Sequence, residues 1–255
     1  MSWARANSTV AGRRICGLTL VLLLLLIGWA PSAGADDTQV TDGWAGYVVR
    51  AGAFSFAHVH ARWAEPRVVC NRPGSAAAFW VGLGGAAPES RALEQVGTSA
   101  DCSSRAQVSY SAWYQLWPAP AVELPLAVRP GDVVDAAVEV DGTTVTIALR
   151  NLSTGAATRR ATVMWEPETD SAEWIAEAPA MCFATCTLLP LATFGRVTFT
   201  KASATLGAHT GTIDDARWST SRYTIGSATT RAVATPSALA EGGSSFAVLR
   251  SRSAF

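Results

Sequence analysis

The chain contains one lysine, Lys201, and three histidines, His58, His60 and His209, in 255 residues. Charged residues make up 16% of it, with 20 Lys+Arg against 20 Asp+Glu. A nucleic-acid binder needs a basic patch or stripe. None is present, so no nucleic-acid partner is expected. Several motifs that carry chemistry are missing too. There is no Gly-x-Ser-x-Gly elbow, the usual marker of a serine hydrolase of the α/β type. There is no His-Glu-x-x-His pair and no Gly-rich phosphate loop. Neither Asp-Thr-Gly nor Asp-Ser-Gly occurs, which argues against a pepsin-like aspartic dyad.

Long apolar runs are also scarce. One extends from Leu18 to Trp29, after Arg5, Arg13 and Arg14 and before Pro31-Ser32-Ala33-Gly34-Ala35. A basic segment, an apolar core and a small-x-small site read as a secretory signal. Residues 1–35 are therefore expected to be a signal peptide cleaved after Ala35, by either the general or the twin-arginine route. The run falls short of the ~20 residues that span a membrane, so no stable membrane association is expected after cleavage. The remaining chain has 17 basic and 20 acidic residues, a net charge of −3. It is long enough for one large domain with its own core, which we place at 43–249. A short segment, 36–42, precedes it and a tail, 250–255, follows. We expect a monomer, secreted to the extracellular space.

Cys16 lies in the signal, which leaves Cys70, Cys102, Cys182 and Cys186. An even count in an exported chain favours disulfides, and four cysteines allow three pairings. Of these we expect Cys70–Cys102 and Cys182–Cys186. There is no Cys-x-x-Cys and no histidine near the cysteines to suggest a metal.

What remains reads as β throughout. Between Asp132 and Val140 apolar residues alternate at Val134, Ala136, Val138 and Val140. Asp141-Gly142 follows, a dipeptide suited to a tight hairpin turn, and then Val145, Ile147 and Leu149 alternate again. Phe54 to Trp63 and Arg196 to Thr205 read as strands, and Phe79-Trp80-Val81-Gly82-Leu83 as a buried one. Many short strands with turn residues between them point to an all-β chain, a two-sheet antiparallel β-sandwich. A single helical turn is expected at Thr235-Pro236-Ser237-Ala238-Leu239, with threonine as cap and proline first.

Few polar groups are left to carry chemistry. His58 and His60 share a face of their strand. With no third ligand in view they read as a polar surface, and no metal and no cofactor are expected. Glu173-Trp174-Ile175-Ala176-Glu177 puts two carboxylates on one strand face beside apolar neighbours. Burial there would raise a carboxyl pKa and suit a general base, whereas a solvated edge would leave it ordinary. Sequence physics leaves the two open. Gln95, in Leu93-Glu94-Gln95-Val96-Gly97-Thr98, is by itself only a polar amide before a glycine.

Taken together and in order, these segments resemble the glutamic peptidases, or eqolisins, and specifically their bacterial members. Gly43-Trp44-Ala45-Gly46-Tyr47 is similar to the family's opening Trp-Ser/Ala-Gly motif. Phe79–Leu83 resembles its Trp-Val-Gly strand, and Leu93–Thr98 its catalytic-glutamine segment. Ser111-Ala112-Trp113-Tyr114-Gln115 resembles its Ala-Trp-Tyr strand, and Ala172–Pro179 its catalytic-glutamate strand. Leu191–Gly195 and Val197–Phe199 follow, and Ala234–Ser237 with Gly243–Phe246 resembles its C-terminal end. The resemblance spans about residues 43–249. It implies a concanavalin-like sandwich and an acid endopeptidase that cleaves polypeptides without a cofactor. The catalytic pair it implies is Gln95 and Glu177, not Glu173. Glu177 would activate water and Gln95 would stabilise the oxyanion. Trp44, Trp80, Tyr114 and Gln115 are candidates for the cleft lining, although ordinary core is at least as good a reading for Trp80.

The chain departs from the family pattern in places. Gly84 stands where an acid often follows the Trp-Val-Gly strand, Gln115 where glutamate usually follows Ala-Trp-Tyr, and Gly43 where asparagine commonly precedes the tryptophan. Like charges raise a carboxyl pKa, so their loss should lower that of Glu177 and shift the pH optimum or weaken activity. Only eight residues separate Ala35 from Trp44, so no long inhibitory propeptide is expected. The rival expectation is a catalytically weak or inactive β-sandwich that binds carbohydrate or protein, because fold does not fix function.

Overall fold

The computed structural model describes residues 37–251, apart from 53–54, 183–184 and 228–229. The expected signal, 1–35, lies outside the described residues, as does most of the expected tail. Among the described residues there is no helix, and none long and apolar enough to cross a membrane. Eighteen strands run in order: β1 (Asp37–Thr41), β2 (Trp44–Arg50), β3 (Phe56–Ala64), β4 (Ala76–Gly84), β5 (Leu93–Cys102), β6 (Val108–Trp117), β7 (Val122–Leu124), β8 (Val133–Asp141) and β9 (Thr144–Asn151). Then come β10 (Ala157–Val163), β11 (Ser171–Glu177), β12 (Ala180–Cys182), β13 (Cys186–Leu188), β14 (Arg196–Leu206), β15 (His209–Gly211), β16 (Ser219–Ser227), β17 (Thr230–Pro236) and β18 (Phe246–Arg250).

The strand order is β10-β9-β8-β3-β14-β18-β17-β16-β2-β11-β4-β5-β6-β7, with β1 beside β16 and β15 beside β14. The path folds back on itself, so β3 and β8 lie against β4, and β5 lies against β8 and β9. The two layers of the sandwich are thus halves of one hydrogen-bonded sheet. Among the described residues the strands pair antiparallel except β1 with β16, and one isolated parallel bridge joins Ala76 to Leu191. β1 falls in the segment placed before the domain, so that segment contributes a strand to the sheet. The hairpin expected at Asp141-Gly142 joins β8 to β9, closed by the Asp141–Thr144 pair, with Gly142 at φ 56°. That positive φ is what the turn demands and what glycine accepts without strain.

The helical turn expected at Thr235–Leu239 is not formed. Thr235 and Pro236 end β17, pairing with Leu249 and Val248 of β18. Pro236 is the last residue of the strand, where a missing N–H costs least. Tertiary pairing overrides the local cap signal here.

The main core fills the space between the layers. Val134, Ala136 and Val138 of β8 and Val145, Ile147 and Leu149 of β9 are all buried in it, as their alternation requires. Phe79, Val81 and Leu83 of β4 and Ala172, Trp174 and Ala176 of β11 face them from the other half. Trp63 reaches across the layers and donates to Thr98 Oγ1 at 3.2 Å, while Thr98 donates to Glu65 Oε2 at 2.6 Å. A buried indole N–H usually finds such a partner. A second, smaller cluster covers the opposite face of β2, β11, β4 and β5: Val48, Ile175, Ala78, Trp80, Leu93 and Tyr223. Strand β4 is buried along its whole length because both its faces are covered. This second face carries the cleft.

Candidate active site

Alternation decides which side chains meet on that face. On β11, Glu173, Ile175 and Glu177 point to it while Trp174 and Ala176 point into the main core. On β5 the same side is taken by Leu93, Gln95 and Ser99, and on β6 by Ser111, Trp113 and Gln115. The register then sets the rows. Glu177 pairs with Ala78, Ala78 with Ser99, and Ser99 with Ser111. Glu173 pairs with Gly82, Gly82 with Gln95, and Gln95 with Gln115. Gln95 and Glu177 therefore share a face, two strands and four residues apart. Both line one cleft of about 850 Å³.

The two glutamates of β11 differ sharply. Glu173 is fully buried; the Ser171 hydroxyl faces it, but no protein donor meets either oxygen at full hydrogen-bonding geometry. The row places only Gly82 between it and Gln95, but Leu93 and Trp80 pack over Gly82 and close that gap. Burial pushes the Glu173 carboxyl well above its ordinary value. Glu177 is half-buried and lines the cleft. Its Oε2 accepts from the indole Nε1 of Trp80 at 2.7 Å. Burial pushes Glu177 up to about 7, against the lowering effect of hydrogen bonds from Trp80 and Trp44. Desolvation favours the neutral acid, and the indole donor favours the anion. No acidic neighbour contributes to this shift, and desolvation is its largest cause.

The proposed lining residues divide. Trp44 lines the cleft and meets Trp80 edge-on, with ring centroids 5.0 Å apart. Trp80 is fully buried beneath it, so it acts as core and as the carboxylate's donor. Gln115 lines the cleft and accepts a hydrogen bond from Gln95. Tyr114 does not line it. It packs against the main core on the other side of β6, because a one-residue step along a strand reverses the face. Trp113 holds the place that Tyr114 was expected to fill. Its position two residues from Gln115 was the signal that could have found it.

Both expected disulfides are formed. Cys70–Cys102 ties the loop before β4 to the end of β5. Cys182–Cys186 closes the β12–β13 hairpin, which belongs to no other sheet and forms one wall of the cleft with Met181. Among the described residues the carboxylates lining the cleft are Asp101, Glu123 and Glu177, and no lysine, arginine or histidine lines it. His58 and His60 stack elsewhere, on β3, with ring centroids 6.4 Å apart, and His60 meets Asp135 at 3.3 Å. No group of three or more potential metal ligands converges among the described residues.

Gly84 ends β4 at φ 76°, and a Cβ built there would sit 2.3 Å from the carbonyl oxygen of Glu168. The absence of an acid at this position is thus coupled to the backbone. With the segment before β11 pressed against Gly84, no side chain fits.

Known proteins resemble this chain in sequence and fold. The chain is 28% identical over 203 residues to Aspergillopepsin-2 of Aspergillus niger, a match covering 69% of each protein. The crystal structure of aspergilloglutamic peptidase from Aspergillus niger superposes with a TM-score of 0.58 at 29% identity. It covers 69% of this chain and 99% of that one. A scytalido-glutamic peptidase, solved with a transition state analog inhibitor, gives a TM-score of 0.71 at 22% identity. It covers 84% of this chain and all of that one, which shows the shared sandwich fold. The sequence model of the peptidase A4 family matches residues 42–244. These findings favour the peptidase over the non-catalytic sandwich, and the chain belongs to the peptidase A4 family, the glutamic peptidases.

Proposed function

We propose that this chain is a secreted endopeptidase that hydrolyses polypeptides under mildly acidic conditions, with Glu177 as general base and Gln95 as oxyanion donor. The observation that carries the reading is the contrast within β11. Of two glutamates on one face, only Glu177 opens to the cleft that holds Gln95, and it alone accepts a hydrogen bond from a buried indole.

The chemistry follows from the groups. The ionised Glu177 takes a proton from water as the water oxygen attacks the scissile carbonyl carbon. The carbonyl oxygen gains charge, and an N–H of Gln95 donates to it. Glu177, now protonated, returns the proton to the leaving amine as the C–N bond breaks. The indole bond from Trp80 restrains the carboxylate through both transfers. The N-terminal pattern of residues 1–35 and the two disulfides support export, since disulfides persist in oxidising compartments.

The test is digestion of a denatured protein between about pH 2 and pH 7 by the wild type, Glu177→Gln and Gln95→Ala. Loss of Gln95 should lower turnover by about 10²–10³. Loss of the carboxylate should lower it by about 10²–10⁴. An inert wild type, or a Glu177→Gln variant with full activity, would sink the assignment.

A further inference from the structure

Gln115 makes two hydrogen bonds, and one of them removes an ambiguity. Its amide lies 2.9 Å from the backbone carbonyl oxygen of Ala119. A carbonyl only accepts, so the Gln115 atom there must be Nε2. That turns Oε1 of Gln115 the other way, to 3.0 Å from the amide of Gln95. Oxygen accepts, so Gln95 must answer with its Nε2. A glutamine amide is otherwise free to flip end for end. Here a fixed backbone oxygen, two links away, forbids the flip, since a flipped Gln95 would set oxygen against oxygen.

One consequence reaches the cleft. Gln95 is 5% exposed, and its Oε1 is buried without any protein donor. A buried acceptor left unmade is costly. With one N–H committed to Gln115 and its Oε1 sealed from solvent, Gln95 has one N–H left to offer the reaction space, and that N–H suits the developing oxyanion.

We infer that Gln115 is a positioning residue: it carries the polarity of the Ala119 carbonyl to Gln95 and holds the Gln95 amide in the one orientation that serves the reaction. The inference rests on the assignment of Gln95 and Glu177 as the reacting pair. Because an amide does not titrate, the relay keeps its sense at every pH. A glutamic acid at 115 would reproduce it only while protonated, donating to Ala119 and accepting from Gln95. Once ionised it would accept only, and face the Ala119 oxygen with no proton between. The charged groups facing this space are Asp101 from β5, Glu123 from β7 and Glu177 from β11, all acidic.

The experiment is steady-state kinetics of the full chain on a quenched-fluorescent peptide, for wild type, Gln115→Leu, Gln115→Glu and Gln95→Ala. Gln115→Leu should lose about tenfold or more in kcat with KM within about twofold, since misorientation harms turnover more than binding. Gln115→Glu should match the wild type near pH 4. Its activity relative to wild type should then fall as pH passes the ordinary carboxylate range of about 4–5. A mere charge effect on Glu177 would shift the limb and let the ratio recover above it, whereas a broken relay does not recover. A Gln115→Leu variant within about twofold of wild-type kcat overturns the inference. So does a Gln115→Glu profile parallel to the wild type, and this arm decides alone if the leucine variant does not fold. If Gln95→Ala is impaired and both Gln115 variants are not, only the positioning role fails. If Gln95→Ala is itself fully active, the pair assignment fails.

Discussion

The indole Nε1 of Trp80 donates to Oε2 of Glu177 at 2.7 Å, from a side chain with no solvent exposure. A buried aromatic is thus tied to the one glutamate of β11 that opens to the cleft. The bond favours the anion while burial favours the acid, and burial prevails, leaving the carboxyl at about 7.

The balance is testable through kcat/KM, whose pH dependence reports the free enzyme's essential groups. With Glu177 as the proposed base, held at about 7, the rate should rise with pH through the mildly acidic range toward that value. Trp80→Phe keeps the ring and removes the donor, so the limb should move higher by about one pH unit, because hydrogen bonds to charged groups are worth ~1.5–3 kcal/mol and one unit is ~1.4 kcal/mol. A limb unmoved in Trp80→Phe would show that the indole bond does not set the base.

Stability should fall as pH rises. Burial pushes Glu65 up to about 7 and Glu94 up to about 8, and it holds Glu173 well above the ordinary range. The folded chain keeps these protons where the unfolded chain, with ordinary values near 4.5, has lost them. The folded state then binds more protons, so stability is full below about 4.5, declines as pH rises from there, and has lost the Glu65 and Glu94 contributions once pH is above about 8. Calorimetry at both ends of this range should show a lower Tm at the alkaline end, and Glu94→Gln should reduce the difference. A flat Tm across the range would contradict the burial of these groups as acids.

The two disulfides should separate by effect. Cys70 and Cys102 are 32 residues apart and Cys182 and Cys186 are 4 apart. Chain-entropy arguments give about 3–4 kcal/mol for the longer loop and about 2 kcal/mol for the shorter. Paired serine substitutions at 70 and 102 should lower Tm more than those at 182 and 186. The latter should act mainly on KM, since that hairpin is a cleft wall. Equal losses of Tm would count against this division.

Gly84→Ala should destabilise by about 1–3 kcal/mol, since a Cβ at positive φ is strained and here also meets the Glu168 carbonyl at 2.3 Å. Gly84→Asp should lose at least as much and should not behave as a simple gain of an acidic neighbour. Urea unfolding of both variants measures this, and a Gly84→Asp protein as stable as wild type would refute the packing argument.

Much of the fold was legible because strand patterning is local. Val134, Ala136 and Val138 read as one face from the sequence and lie on one face in the structure, and the Asp141-Gly142 turn joins the strands it was expected to join. Pro236 misled for the same reason. Its local helix-start signal is sound, but pairing of β17 with β18 is a long-range choice that no short window contains. Tyr114 failed by one position, since neighbours on a strand differ by a whole face and the motif alone does not say which side is the cleft.

By itself, the sequence determined the β class, the hairpin, the even set of cysteines and, through its ordered motifs, the family. The family motif implied Glu177 rather than Glu173, but the physical difference between them belongs to the tertiary structure, because the two share a strand face and differ in what covers them. Leu93 and Trp80 seal one and the cleft opens to the other. Likewise Gln95 and Gln115 become a relay only when β5 and β6 pair in register and Ala119 turns its carbonyl toward Gln115. Burial, and the direction of a hydrogen bond, are properties of the packed chain and have no local signature.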